Sequence, residues 1–253
     1  MDLARFYEQA YTQEETQAEQ GARWRALGAR GKADHITALC AAAGLRPAST
    51  LEVGCGDGAL LCELHARGFG GRLAGVEIAE AAVRIASRRK QIDAVALYDG
   101  ERLDEPDGAY ELGVLSHVLE HVPDPAALLA EVARVCRAVV MEVPLEANVS
   151  ARREAKREHA QEVGHLQRLD RAAARAIVTR AGLRIAGELE DSLPRSAQLF
   201  FARDAGARAK ASAKWATRTA LHRGAPPLAR RLFTVHYACL CLPSGAAAPL
   251  RAA

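Results

Sequence analysis

Three glycines, Gly54, Gly56 and Gly58, alternate directly after a short apolar run, and this pattern restricts the fold more than any other. The run, 50–53, is typical of a buried strand, and apolar side chains continue at helical spacing from Ala59. A strand, a glycine turn and a helix form a unit in which bare backbone can lie against a ligand. The helix then directs free N–H groups at that ligand. The sequence therefore predicts a ligand-binding turn in an α/β protein.

An acidic residue follows at the end of a second predicted strand, 71–78, which is largely apolar before Glu77. A carboxylate about 20 residues after the glycine turn is where nucleotide-binding βαβ units hold the ribose hydroxyl groups. The glycines here are spaced G-x-G-x-G, which differs from the G-x-G-x-x-G of dinucleotide-binding enzymes. The turn and Glu77 together predict a ligand that contains a nucleoside.

The segment 51–58, Leu-Glu-Val-Gly-Cys-Gly-Asp-Gly, resembles the first motif of the class I S-adenosylmethionine-dependent methyltransferases, and the resemblance extends over roughly residues 32–200. It implies a Rossmann-like, mostly parallel sheet of seven strands with helices on both faces. The implied strand order is 3-2-1-4-5-7-6, with the seventh strand antiparallel. It also implies S-adenosyl-L-methionine as cofactor and S-adenosyl-L-homocysteine as product.

The resemblance assigns further residues to the cofactor. The third predicted strand ends at Asp99, which in the family accepts a hydrogen bond from the adenine amino group. The fourth ends at Ser116, and open α/β sheets bind ligands outside the carboxyl ends of their strands. The cofactor-binding residues that we expect are Glu52, Gly54, Cys55, Gly56, Gly58, Glu77, Ile78, Asp99, Gly100, Ser116 and His117.

Histidines near the predicted strand ends are the candidates for proton transfer, since histidine is the residue that most often does this work. The catalytic candidates are His165, His121 and His117, with Glu142 and Glu146 nearby. His165 belongs to a Gly-His segment that resembles one placed over the substrate pocket in the family. Two alternatives stay open: His121 can instead tie its loop to the sheet, and His165 can be structural.

The expected substrate-binding residues are Tyr7, Tyr11, Glu146 and His165. Family members often close an N-terminal helical segment over the cofactor, although the aromatic side chains can equally pack that segment onto the domain. No metal-ligand cluster with a recognised spacing is present in the sequence, so we expect a metal-independent, in-line methyl transfer.

The length suits one α/β domain with additions. We expect an N-terminal helical cap over 1–34, the methyltransferase domain over 35–242 and a helical insertion at about 147–168. A helix is predicted over 33–45, starting at Asp34, and 243–253 is expected to be a disordered tail. The absence of a signal peptide and of a long apolar run predicts a cytoplasmic protein that does not contact membranes.

Charge is distributed unevenly, with a net of −8 in residues 1–150 and +11 in residues 151–253. A basic half attracts anionic partners, unless it consists of ordinary solvated helix faces. We expect methylation of an oxygen or nitrogen of a small-molecule acceptor, and this charge would suit an anionic one. An RNA methyltransferase is the second interpretation, weakened by the few aromatic residues available for base stacking. A non-catalytic, cofactor-binding scaffold is the third; no sequence feature defines an oligomeric state.

Overall fold

The structure is a computed structural model that describes residues 3–14 and 18–245. The tail predicted at 243–253 therefore lies outside the described residues from 246 onward. Within the described part of the chain, no helix has both the length and the apolar character that a bilayer crossing requires.

Helices and strands alternate through most of the chain. The helices are α1 (Leu3–Glu14), α2 (Ala18–Ala42), α3 (Ala59–Ala66), α4 (Glu80–Ala86), α5 (Pro125–Val135), α6 (Glu154–Glu162), α7 (Arg171–Arg180), α8 (Arg195–Leu199), α9 (Ala205–Gly224) and α10 (Pro226–Leu232), with a 3₁₀ turn at Ser150–Arg152. The strands are β1 (Ser49–Val53), β2 (Arg72–Glu77), β3 (Ala94–Leu97), β4 (Tyr110–Ser116), β5 (Cys136–Leu145), β6 (Leu183–Asp191) and β7 (Val235–Pro243).

The strands form one sheet in the order β3-β2-β1-β4-β5-β7-β6, as the resemblance implies. Strands β1 to β5 pair in parallel, whereas β7 runs antiparallel to both β5 and β6. The predicted fold class is therefore confirmed. Because β7 is reversed, its beginning meets the end of β5, with His236 opposite Pro144.

Two hydrophobic clusters cover the two faces of the sheet. Successive side chains of a strand point to opposite faces, so Val139 and Met141 of β5 join one cluster while Ala138 and Val140 join the other. Helices α5 and α7 pack on the first face, and α2 and α3 pack on the second. This double cover explains why the central strands are apolar throughout rather than alternating.

The N-terminal half differs from the prediction in one respect. A single helix, α2, runs from Ala18 to Ala42, so no helix begins at Asp34, and the expected domain boundary at residue 34 falls inside α2. No proline interrupts this stretch, and Gly28 and Gly31 have nothing within 4 Å of a built Cβ. Isolated glycines cost a helix only about 1 kcal/mol each, which packing of α2 on the sheet can offset.

Strand β7 begins only at Val235, because Pro226 starts the short helix α10. The insertion differs from its prediction in one detail. The predicted charged helix of the insertion is divided into the 3₁₀ turn and α6, and Arg153 between them has extended backbone.

Gly71 provides a test of the backbone packing at the start of β2. It has φ +59°, and a built Cβ would overlap the carbonyl group of Ala48. Gly68 has φ +63° with nothing within 4 Å. We expect Gly68→Ala to cost about 1–2 kcal/mol from backbone strain alone. Gly71→Ala should cost roughly 1–3 kcal/mol more, since a backbone group cannot rotate away. Urea denaturation measures both, and equal losses would contradict this account.

Candidate active site

A cavity of about 1270 Å³ opens at the carboxyl ends of β1, β2, β4 and β5 and is covered in part by α1 and α2. Small-molecule sites usually occupy about 300–1,000 Å³. The cavity therefore has room for a large ligand and a second molecule beside it. Its position matches the rule that open α/β sheets bind ligands where the strands end.

The glycine turn forms one wall of the cavity. Gly54 and Gly56 have φ values of +73° and +54°, which glycine adopts without strain. A built Cβ on Gly54 would lie 2.6 Å from a methyl group of Val118, and one on Gly56 would overlap the hydroxyl group of Tyr11. Gly58 does not line the cavity: a side chain there would overlap Ile92, so this glycine serves packing.

Glu77 fixes the shape of this wall. Its Oε2 accepts a 2.8 Å hydrogen bond from the Gly56 N–H, and its Oε1 accepts one of 2.7 Å from the Ile78 N–H. Burial raises the pKa of Glu77, and these backbone donors oppose that effect. The carboxylate therefore links the end of β2 to the turn after β1.

Two buried side-chain oxygens near the glycine turn have no hydrogen-bond partner among the described residues. They are Oε2 of Glu52 and Oγ of Ser116. Burial raises the pKa of Glu52 to about 8; Lys32 opposes the shift, and Asp57 and Glu77 add to it. Unsatisfied buried groups cost free energy unless a ligand supplies partners. The cavity wall therefore suits a ligand that carries a cation and hydroxyl groups, as S-adenosylmethionine does.

Helix α1 covers both ends of the cavity with tyrosine side chains. Tyr11 lies against Gly56, and the guanidinium carbon of Arg25 lies 5.6 Å from its ring centre. The hydroxyl oxygen of Tyr7 lies 2.8 Å from Nδ1 of His121. The structure thus places both predicted tyrosines at the cavity and gives α1 the position of a lid.

The part of the cavity away from the glycine turn contains a histidine–carboxylate pair. Nδ1 of His165 lies 2.7 Å from Oε2 of Glu146, and the rings of His165 and His121 are in edge contact at 4.7 Å. The side chain of His165 is 12% exposed, so little water reaches it. Burial lowers the pKa of His121, which favours its neutral form. The structure therefore brings together the predicted His165, His121 and Glu146.

A buried carboxylate, Glu142, forms the floor of the cavity between the glycine turn and the His165 pair. Its Oε2 lies 2.9 Å from Nδ1 of His35, and its Oε1 lies 3.3 Å from Nε2 of His117 and 3.4 Å from Nδ1 of His236. Burial acts to raise the pKa of Glu142, but the histidines outweigh burial and hold it well below its usual range. Neither His35 nor His236 is a sequence-based candidate, because each reaches the cavity only through the tertiary fold.

The remaining predicted residues also line the cavity. They are Cys55, Ile78, Asp99, Gly100, Ser116 and His117. Asp99 Oδ1 accepts hydrogen bonds of 2.8 Å from the backbone N–H groups of Glu101 and Arg102. These donors hold the pKa of Asp99 below its usual value. Its role toward adenine stays a prediction.

The sequence matches a known family. The sequence model of a family described as "Methyltransferase domain" matches residues 23–187, which is more than half of the chain. One curated relative is named ubiquinone biosynthesis O-methyltransferase, from Thiobacillus denitrificans. It is 32% identical over 92 residues, covering 34% of this chain and 39% of the relative. The chain spans about two-fifths of the length of the curated relatives it matches.

Solved structures share the fold at low sequence identity. One is described as a SAM-dependent methyltransferase, possible histamine N-methyltransferase, from Thermotoga maritima. It has a TM-score of 0.59 and 12% identity and covers 94% of this chain and 100% of its own. Another is magnesium protoporphyrin IX methyltransferase from Synechocystis PCC 6803 with bound S-adenosylhomocysteine. It has a TM-score of 0.53 and 16% identity and covers 85% and 83% of the two chains.

The raised pKa of Glu52 makes the stability of the ligand-free protein depend on pH. Between about pH 4.5 and pH 8 the folded protein keeps a proton on Glu52 that the unfolded chain has lost. Stability from this group is present at low pH, and the free energy of unfolding falls by up to about 1.4 kcal/mol per pH unit across that window.

We expect Glu52→Gln to remove the part of the pH dependence of the unfolding free energy that is due to Glu52. Glu101→Gln, at an exposed site, should leave that pH dependence unchanged. Urea denaturation of the ligand-free proteins at several pH values measures the slopes. Parallel pH profiles for the wild type and Glu52→Gln would show that Glu52 ionises normally.

Proposed function

The chain belongs to the class I S-adenosylmethionine-dependent methyltransferases, and from that premise we propose that it methylates a hydroxyl oxygen of a small-molecule acceptor. The observation that carries the proposal is the pair formed by His165 and Glu146, at 2.7 Å, in the same cavity as the glycine turn. A base is useful only when the attacking atom must lose a proton. A hydroxyl group meets that condition at neutral pH.

The residues at the glycine turn fit the cofactor. Gly54 and Gly56 present backbone without a Cβ at the cavity wall, Glu77 offers its carboxylate to ribose hydroxyl groups, and Glu52 and Ser116 offer unpartnered polar atoms. When bound, S-adenosylmethionine supplies a methyl group that its sulfonium already activates. The protein's main contribution is then to position the acceptor, which can be worth about 7–11 kcal/mol.

His165 would take the proton of the acceptor hydroxyl group through Nε2, since its Nδ1 faces Glu146. The carboxylate of Glu146 holds the ring in one orientation and stabilises the imidazolium that forms. His121 and Tyr7 complete the wall beside His165. Helix α1 above them excludes water, which strengthens each electrostatic contact.

The curated relatives support an O-directed, small-molecule reaction without specifying the acceptor. The curated relatives are named for O-methylation in ubiquinone biosynthesis, and their identity to this chain lies near 30% over a limited segment. Among the described residues, the His165 pair lies under α1 rather than in an open groove. A roofed pocket suits a small acceptor better than an RNA strand, which needs a continuous basic track and stacking aromatic groups.

Calorimetric titration with S-adenosylhomocysteine tests the cofactor site. We expect micromolar binding by the wild type, no detectable binding by Gly56→Val because the added side chain fills the turn, and at least about tenfold weaker binding by Glu77→Ala. Gly224→Val, in a position with nothing within 4 Å, is the matched control and should bind normally. Thermal denaturation confirms that each variant is folded. Wild-type affinity in both site variants would overturn the cofactor assignment.

Steady-state kinetics with a hydroxylated acceptor tests the proton-transfer role. We expect His165→Ala to lower kcat by about 10²–10⁴-fold, while its affinity for S-adenosylhomocysteine stays within about twofold of the wild type. Glu146→Gln should give a smaller loss of kcat, since the ring remains but its orientation and charge stabilisation weaken. The control is His65→Ala, at an exposed position on α3. Unaltered turnover in His165→Ala would remove His165 from the reaction. Cofactor binding without methylation of any acceptor would favour the scaffold interpretation.

A further inference from the structure

We propose that His117, Glu142 and His236 form a binding site for a divalent transition-metal ion such as Zn²⁺, with one coordination position open to the cavity. One potential ligand atom from each of the three residues lies within 4.8 Å of the other two. All three residues line the cavity. The sequence predicts no such site, because Glu142 lies on β5, His236 lies on β7 and His117 directly follows β4, so the three are far apart in the chain.

Two distances within the trio match the spacing of ligand atoms in a tetrahedral metal site, although one of them is also a long hydrogen bond. Zn–N and Zn–O bonds of about 2.0–2.1 Å place neighbouring ligand atoms of a tetrahedral site about 3.3 Å apart. Oε1 of Glu142 lies 3.3 Å from Nε2 of His117 and 3.4 Å from Nδ1 of His236. Charge-assisted hydrogen bonds between the same groups are usually about 2.7–2.9 Å long. One ion at the centre of the trio would satisfy all three atoms.

The ligands are held by the rigid part of the fold. Glu142 lies on β5 and His236 on β7, whose register places His236 opposite Pro144, two residues beyond Glu142. His117 follows β4 and donates its backbone N–H to the carbonyl group of Glu142 over 2.9 Å. Among the described residues, His117 is the one non-glycine residue with a positive φ, +60°. Such backbone strain persists where the surrounding structure enforces it, commonly at functional sites.

Two of the proposed ligands contact a further carboxylate or histidine that can fix their orientation. Metal-binding histidines usually donate their second ring N–H to a carboxylate, which fixes the ring. Nδ1 of His117 lies 3.1 Å from Oε1 of Glu120, a carboxylate that is 1% exposed. Both oxygens of Glu120 are buried and have no hydrogen-bond partner among the described residues, so this carboxylate is available to accept the His117 N–H. His35 holds the second oxygen of Glu142 at 2.9 Å.

A neighbouring group, Glu120, His121 and His165, also has ligand atoms within 4.8 Å of one another. Two of its three members already have short contacts elsewhere. His165 lies 2.7 Å from Glu146, and His121 lies 2.8 Å from the hydroxyl group of Tyr7. An ion there would have to break these contacts. An ion in the trio around Glu142 would replace only the long 3.3 Å contact between His117 and Glu142, so the geometry favours the trio.

Two histidines and one glutamate are the protein ligands of several catalytic zinc sites, in which a water or substrate oxygen takes the fourth position. An oxygen bound there loses its proton more readily than it does in solution. The proposed ion would therefore favour acceptors with a hydroxyl or carboxylate group. The site itself does not depend on the proposed O-methylation, because metal binding can be measured without an acceptor.

The test is titration of the chelator-treated chain, residues 1–253, with Co²⁺, which reports four-coordinate binding through intense visible absorption bands. We expect one Co²⁺ per chain, displaced by Zn²⁺. His236→Ala and His117→Gln should each lose at least about 100-fold in affinity, and Glu120→Gln about 10–100-fold through ring orientation. His65→Ala, at an exposed position, is the control and should bind as the wild type does.

The outcomes separate this proposal from the others. No stoichiometric binding by folded wild-type protein, or binding that survives both His236→Ala and His117→Gln, would overturn it. Loss of binding in His165→Ala together with normal binding in His236→Ala would assign the ion to the neighbouring group instead. Thermal denaturation checks folding of each variant, and titration of the wild type and His236→Ala with S-adenosylhomocysteine reports on the cofactor site. That titration distinguishes failure of the metal site from failure of the cofactor site.

Discussion

The buried carboxylate of Glu142 is the interaction on which the arrangement of the cavity depends. It is 2% exposed, and its three histidine neighbours come from α2, from β7 and from the residue directly after β4. A buried carboxylate without partners is costly, and removing a partner from a buried pair typically costs about 3–5 kcal/mol. Burial lowers the pKa of His35, but hydrogen bonds to Asp191 and Glu142 outweigh burial and raise it to about 9. Glu142 thus connects helix α2, the end of β4 and the start of β7 at the floor of the cavity.

The cofactor half of the cavity was predictable from sequence because its signals are local. The alternating glycines and Glu77 belong to one βαβ unit, and their spacing is set by chain geometry that recurs wherever such units occur. His165 was found through a short motif and proves to lie beside Glu146. Gly58 was predicted correctly as part of the turn, but it packs against Ile92 rather than lining the cavity.

The floor of the cavity could not be predicted in the same way. His236 reaches Glu142 only because β7 inserts between β5 and β6 in reverse orientation, and His35 reaches it only because α2 packs across the sheet. Both placements depend on non-local pairing, and a lone histidine in an apolar strand gives no hint of its partner. The start of α2 was missed for a related reason: packing along the whole helix overrides the weak local signal at Asp34.

The reversed seventh strand has a consequence for how this protein can diversify. Strand β6 ends and β7 begins at the edge of the sheet where the cavity opens. The connection between them, 192–234, therefore lies beside the cavity entrance. It carries α8, α9 and α10, and its ends are anchored by paired strands. Insertions and deletions there would reshape the entrance without shifting the register of any strand that holds the cofactor. The rim of the cavity can therefore vary in this connection while the floor around Glu142 stays fixed.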